Sequence, residues 1–304
     1  LDKKPLISVL LSVYNGELYI QDAVNTIIEQ SYTNWELIII NDGSTDHTSE
    51  ILNKFKDPRI RVIKQNNIGL TCSLNIAAKL AKGSFLARQD ADDLSHKDRF
   101  KHQIDLFLKN PDVIIASSDT SWIDRFGKIL DIRKAPLSRS EAIKKMALLT
   151  SPFVHGSLMI KKSAFEAISG YNENLSTTQD FDLLIRMSAL KKEFAAVPEI
   201  LYQLRIHKNT VTAKKWLKQI INTMRCARLI NKYYPNSVNN KTRFSFIYKK
   251  IIIGCLSFTN PEFIYHLRNK KKGLIEMIQP NSHKRPTQKN RIPTKSLSFM
   301  KRDI

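Results

Sequence analysis

The carboxylates of this chain fall where strand-ending loops would turn them toward one ligand. Asp42 closes an apolar run at 37–40 in Asn41-Asp42-Gly43-Ser44, and Asp90-Ala91-Asp92-Asp93 closes another at 85–87. In open α/β sheets ligands collect at the carboxyl ends of the strands, where the strand order reverses. Acids gathered there repel one another unless a cation or a set of hydrogen-bond donors lies against them. A divalent cation suits the position, because hard ions take carboxylate oxygens and bridge to phosphate. Asp-x-Asp can then offer one carboxylate to a metal and the other to a ribose hydroxyl. Taken singly, Asp42-Gly43-Ser44 is ordinary turn chemistry, and residues 90–93 suit a solvated loop or a helix cap equally well. The two together, each ending a strand at the expected interval, point to a site. The glycine-rich phosphate loops GxGxxG and GxxxxGK[ST] do not occur, and the chain holds only nine glycines.

The elements that must carry these residues read as short apolar runs alternating with helical patterns, the signature of a parallel sheet with covering helices. Residues 7–13 form a buried strand that ends at Gly16, and Tyr19, Ile20, Ala23, Val24, Ile27 and Ile28 recur at helical spacing behind it. Strands follow at 37–40, 61–64 and 85–87, with helices around 51–55, where Thr45 or Asp46 serves as cap, and at 70–80. Further on come a helix at 97–109, a strand at 113–117, a turn at Phe126-Gly127-Lys128 between two strands, and helices at 141–149 and 180–190. Past about 212 the pattern becomes amphipathic and basic, with helices expected at 216–234 and 244–268. The prolines of 279–304 sit among polar and basic residues, which predicts disorder.

The net charge of +21 is unevenly placed: 23 of the 49 lysines and arginines lie in residues 201–304, against Glu262, Glu276 and Asp303 alone. The first 200 residues are therefore nearly neutral. Three scattered cysteines without a CxxC pair argue against a disulfide framework or a zinc site and suit a reducing compartment. Lys3 and Lys4 precede an apolar stretch, but it is short, lacks a small-residue cleavage site, and reads as a strand rather than a signal peptide. No apolar run approaches the roughly 20 residues of a membrane-spanning helix.

At this density of motifs the chain resembles the family 2 glycosyltransferases of GT-A fold, specifically bacterial enzymes of surface-polysaccharide assembly of the O-antigen or capsule type. Ser8-Val9-Leu10-Leu11-Ser12-Val13-Tyr14-Asn15 resembles the opening strand of that family, and Asn41-Asp42-Gly43-Ser44-Thr45-Asp46 its second. Asn66-Asn67-Ile68-Gly69-Leu70 and Arg88-Gln89-Asp90-Ala91-Asp92-Asp93 match its Asn/Gly segment and Asp-x-Asp signature, with Arg99 in its usual place. His155-Gly156-Ser157, Gly170-Tyr171, Gln179-Asp180-Phe181-Asp182 and Tyr202-Gln203-Leu204-Arg205-Ile206-His207 resemble its acceptor half. The likeness runs from about residue 5 to 212. It departs at Gln179, where the family has Glu, and at Gln203-Leu204, which separate the usual Tyr-Arg pair and leave the register of His207 open.

The resemblance implies an α/β, Rossmann-like, mostly parallel mixed sheet flanked by helices, in a catalytic domain at 1–212 (nucleotide-binding half 1–100, acceptor half 101–212). The basic, amphipathic composition beyond it adds a helical C-terminal extension at 213–278 and a tail at 279–304. The resemblance also implies an inverting, metal-dependent transfer from a uridine-diphosphate sugar to a hydroxyl of a glycan or lipid-linked saccharide. Asp92 would hold Mg²⁺ or Mn²⁺, with His207 as a further ligand, and Asp90 would bind the ribose. Asp42 would accept from the ring N–H of uracil, with Ser12 and Tyr14 also at the nucleotide, and Asp180 would take the acceptor proton. Asp180 also suits a plain helix start, with Asp182 beside it. Arg186 reads as the partner of a helix neighbour, and His155 as a packed loop residue.

The basic extension, interleaved with Trp216, Ile220, Ile221, Phe244 and Phe246, suits an anionic membrane surface, which places the protein in the cytoplasm, peripheral on the inner face of the cell membrane. The alternative is an extension that packs on the catalytic domain. No nucleic-acid partner is expected, since the catalytic half lacks a basic stripe. Two other functions stay open: a sugar-1-phosphate nucleotidyltransferase, which would want a Gly-rich, Arg-containing loop after the first strand, and a basic module without catalytic activity.

Overall fold

The structure, a computed structural model, describes residues 4–207 and 216–257. Strand β1 (Ile7–Val13) is buried along its whole length. It pairs in parallel with β2 (Trp35–Asp42) on one side and β4 (Phe85–Arg88) on the other, and β3 (Ile60–Gln65) lies parallel outside β2. Successive residues of a strand point to opposite faces. Leu10, Ile38 and Ile40 accordingly enter one core and Val9, Leu11, Leu37 and Ile39 the other. Each such fully buried aliphatic side chain stabilises the fold by roughly 1.5–3 kcal/mol. Helix α1 (Ile20–Ile28) covers the second face with Ile20, Val24 and Ile27. Helix α2 (Thr48–Asn53) follows the loop after β2; its N-cap position falls on His47, not on the expected Thr45 or Asp46, and Asp46 accepts from the Thr48 backbone N–H at 3.0 Å from just before the helix. Helix α3 (Leu70–Leu80) covers the first face with Leu74, Ala77 and Ala78.

Beyond β4 the sheet changes direction. Its order is β3-β2-β1-β4-β8-β6-β9-β5, with β7 paired to β6. Strand β8 (Met159–Lys161) is antiparallel to both β4 and β6 (Val113–Ile123), while β6 runs parallel to β9 (Glu193–Arg205). The short β5 (Leu94–Ser95) pairs antiparallel with the end of β9, and β7 (Ile129–Arg133) forms the expected hairpin with β6 around Gly127. Strand β6 extends six residues past the 113–117 read from sequence, because its second half carries Ser118, Thr120 and Ser121, which look like loop but are buried.

Helices α4 (Arg99–Lys109), α5 (Arg139–Ala147) and α7 (Gln179–Ser188) lie within two residues of the expected ends. The short α6 (Lys162–Ala167) was not foreseen.

The compact unit runs to Pro261, well past residue 212. In the Trp216–Tyr233 helix, Asn222, Thr223, Cys226, Ala227 and Ile230 share one buried stripe, and the last three enter the same core as α3 and α7. This helix therefore packs on the catalytic domain, the alternative weighed against a free basic extension. The Asn240–Ser257 helix follows. The expected helix beyond 257 and the tail at 279–304 lie outside the described residues.

Candidate active site

The loops after β1, β2 and β4 meet at one edge of the parallel half, and their side chains stitch them together. Asn15, at φ +53°, accepts from the Thr45 N–H at 2.8 Å and donates its own N–H to Ser44 Oγ at 3.0 Å. Asp42 is buried and takes Gln65 Nε2 (2.8 Å) and the Ile68 N–H (2.9 Å) on Oδ1 and the Gly69 N–H (2.8 Å) on Oδ2. A carboxylate offers about four lone-pair positions, so Asp42 anchors the loop at 66–69 and still has room for one more donor. Gly43 and Gly69 sit at φ +78° and +92°, and a Cβ on Gly43 would stand 2.8 Å from the Asn67 nitrogen. Ser12 is buried at the end of β1, and Tyr14 beside it is exposed.

In the acidic loop the structure separates the carboxylates that the sequence left equivalent. Asp93 is buried, accepting from Tyr202 Oη at 2.9 Å and from the Arg205 N–H at 2.7 Å. Burial, and then Asp92 and Asp90 beside it, push its carboxyl well above the usual range. Its work is to tie the loop to β9. Asp90 and Asp92 are partly exposed. Arg88, buried, bonds the Leu10 carbonyl at 3.1 Å, the Gln89 carbonyl and the Asp90 carboxylate. Asp92 Oδ2 lies 2.8 Å from His207 Nε2, and Arg205 Nε donates to the Asp92 carbonyl at 3.0 Å. The register of His207 is thus settled by β9, which delivers it to Asp92 despite the two intervening residues.

Arg99 is fully buried and donates to the carbonyls of Gly156 (2.9 Å) and Arg88 (3.1 Å), joining the acidic loop to the turn at His155–Ser157. Its guanidinium lies 5.2 Å from the Tyr202 ring centre, and burial lowers its pKa to about 10, which leaves it charged. Gly156 is obligatory here: a Cβ would lie 1.9 Å from the Tyr202 hydroxyl. Tyr202 and Arg205 were visible in the sequence only as part of a motif, and nothing in their spacing revealed that they brace the acidic loop.

Asp180 is the second residue of α7, after Thr178 at φ +66°. A β-branched residue in that left-handed region costs on the order of 1–2 kcal/mol. Asp182, two residues on, is paired with Arg186 through two contacts of 2.7 Å, and Arg186 also reaches the carbonyls of Ile168 and Gly170. The Asp180 carboxylate, half-buried, accepts no hydrogen bond among the described residues. The charge of Asp180 is felt at the buried ring of His155. Burial, then the charge of Arg88, lower that imidazole to about 4, while Asp180 and Asp90 both pull it upward. His155 is therefore neutral at physiological pH and bonds Tyr171 Oη at 2.7 Å. His155 is thus packed against Tyr171, as its place in the loop led one to expect.

Residues 8–169 match the family model described as glycosyl transferase family 2. The chain belongs to that family. Membership decides for glycosyl transfer over nucleotidyl transfer and over a module without catalysis. Among relatives, this glycosyltransferase is 32% identical over 207 residues to the putative glycosyltransferase EpsE of Bacillus subtilis, covering 66% of this chain and 73% of that one. It is 27% identical over 217 residues to the hyaluronan synthase of Pasteurella multocida, covering 71% of this chain but only 22% of that much longer protein. Two solved structures share the fold. S. aureus TarS 1-349 in complex with UDP-GlcNAc has a TM-score of 0.58 at 17% identity, over 79% of this chain and 73% of that one. A Pyrobaculum calidifontis mannosyltransferase in complex with GDP-Man and Mn2+ has a TM-score of 0.58 at 15% identity, over 90% of this chain and 81% of that one. The architecture is the GT-A α/β fold expected from the motifs.

Proposed function

We propose that this glycosyltransferase moves a sugar from a uridine-diphosphate sugar to a hydroxyl of a glycan or lipid-linked saccharide, inverting the anomeric centre, in surface-polysaccharide assembly. The observation that carries this reading is the Asp180 carboxylate in the first turn of α7, which accepts no hydrogen bond among the described residues, together with the Asp92–His207 pair at 2.8 Å in the acidic loop. Asp42 keeps a free acceptor position and would take the ring N–H of the base, with Ser12 and Tyr14 beside it; a carboxylate there selects a base that presents a donor. Asp90 would accept from the ribose. Asp180 would remove the proton of the attacking hydroxyl, and a single displacement with the base opposite the leaving group inverts configuration.

The chemistry of the donor set fits a divalent ion. Asp92 and His207 converge to 2.8 Å, although no group of three metal-binding side chains occurs among the described residues. Mg²⁺ and ions like it commonly use one or two protein ligands and complete their shell with water and phosphate oxygens. Bound Mg²⁺ or Mn²⁺ would neutralise charge on the departing diphosphate as a Lewis acid. A mannosyltransferase of this fold carries Mn2+ with its donor, which supports the same reading here. The test is a screen of UDP- and GDP-sugars that follows nucleoside diphosphate release with and without Mn²⁺. Release from UDP-sugars in the presence of metal is expected, and release from GDP-sugars alone would overturn the uridine assignment.

The acceptor would be met at an anionic membrane on the cytoplasmic face. The two C-terminal helices leave Leu217, Ile221, Phe244 and Tyr248 exposed among lysines and arginines, with Phe244 71% and Tyr248 68% accessible. No helix among the described residues is long and apolar enough to cross a membrane. Full-length protein is expected to sediment with phosphatidylglycerol vesicles at low salt and to be released as salt rises. Failure to bind them at low salt would remove the membrane from the proposal.

A further inference from the structure

The segment that delivers Asp180 is fastened at each step by buried polar side chains. Asn75 of α3 accepts from the Tyr171 N–H at 2.9 Å and donates to the Tyr171 carbonyl at 2.9 Å. Thr71, one turn earlier on the same helix, donates to the Leu175 carbonyl at 2.7 Å. The last fastening before the base comes from elsewhere. Asn222, 2% exposed on the Trp216–Tyr233 helix, donates from Nδ2 to the Thr177 carbonyl (3.1 Å) and to Thr177 Oγ1 (2.8 Å). The orientation of this amide is set by its partner, since the opposite one would bring its oxygen against the Thr177 carbonyl. Thr178 follows at φ +66°, and its carbonyl accepts from the Asp182 N–H at 3.0 Å, starting the turn of helix that holds Asp180.

We propose that Asn222 is a positioning residue for the catalytic base: by gripping the carbonyl and the hydroxyl of Thr177 it holds Thr178 in its left-handed conformation and so fixes the direction in which Asp180 is presented. A β-branched residue relaxes out of that region unless its surroundings fix it. The Thr177 side has this buried donor, and α7 supplies the other anchor. These bonds and the shared core make the first C-terminal helix part of the unit that carries Asp180, although both Asn222 and Asp180 lie beyond the family-matched residues 8–169. Cys226, one turn further along that helix, supports this placement: burial, then Asp182 and Asp180 nearby, push its thiol up to about 12. The inference rests on Asp180 being the base.

Asn222→Ala in the full chain is expected to lower kcat for transfer by about 10–100-fold, the scale at which an ångström of misalignment acts. The KM for the UDP-sugar found active in the donor screen, and the affinity for UDP with Mn²⁺, should stay unchanged. Added to Asp180→Asn, the same substitution should cause little further loss. Hydrogen exchange without substrate gives a second reading: the Asp182 amide should exchange faster in Asn222→Ala, while the Tyr171 amide, held by Asn75, should not. If Asn222→Ala fails to fold, Thr177→Val, which removes the hydroxyl at constant shape, is read in the same way, with Thr177→Ser expected to retain activity. Unchanged kcat, or exchange that accelerates uniformly along the chain, overturns the positioning role. If Asp180→Asn itself transfers normally, the base assignment has failed instead, and the inference falls with it.

Discussion

Asp180→Asn is expected to slow glycosyl transfer by about 10²–10⁴-fold, the usual contribution of a general base, while leaving UDP affinity and the melting temperature close to wild type. The structural ground is the state of the carboxylate. It sits in the first turn of α7, where losing its charge costs only about 0.3–1 kcal/mol of helix-dipole interaction, and nothing among the described residues hydrogen-bonds to it. Replacing it therefore disturbs no ion pair and leaves the helix start intact. The amide keeps the shape and can still hydrogen-bond the acceptor hydroxyl, but it cannot take a proton. Asp182 offers no substitute, because Arg186 holds it through two contacts of 2.7 Å. Steady-state transfer with calorimetric titration of UDP separates the outcomes. A mutant that binds UDP weakly yet turns over normally would move Asp180 to the donor side.

The second large effect is expected at Asp92. Asp92→Asn should lower transfer on the order of 10³-fold, corresponding to the several kcal/mol that a Lewis-acid ion supplies. It should also weaken Mn²⁺ binding, measured directly by the loss of the free-ion electron paramagnetic resonance signal in the presence of UDP. Chelation of the native protein should abolish transfer, and added Mn²⁺ or Mg²⁺ should restore it. The fold should survive the substitution, since the loop is held by Asp93, Tyr202 and Arg205 rather than by the Asp92 side chain. Full activity in excess chelator would remove the metal from the proposal.

How much of this was legible differs between the two halves of the sheet. Strands β1 to β4 could be read to within two residues at each end, because β1, β2 and β4 are buried and appear as apolar runs, and the intervening helices repeat at their own period. The acidic loop stood out as a candidate because two acid-bearing loops each end a strand at the expected interval, although either alone also suits a turn or a helix cap. The antiparallel half was harder. The second half of strand β6 hides behind Ser118, Thr120 and Ser121, polar residues that look like loop yet are buried in the sheet. Strand β8 is three residues long, too short for any period to register.

Local patterning thus determined the α/β class, the succession of strands and helices along the first hundred residues and the candidate acids at the strand ends, all properties carried by neighbours in the chain. Which acids are tied up by partners, and by which, was decided only in three dimensions. Asp93 is removed from chemistry by Tyr202, Asp182 by Arg186, and Asp92 is given His207, across separations of 109, 4 and 115 residues. The same holds for the C-terminal helix. Its basic composition suggested a surface device, yet its stripe of Asn222, Cys226, Ala227 and Ile230 is buried against the helix that carries Asp180. A carboxylate's role depends on which donors and charges surround it and how much water is excluded, and those surroundings are assembled by chain segments that sequence spacing does not relate.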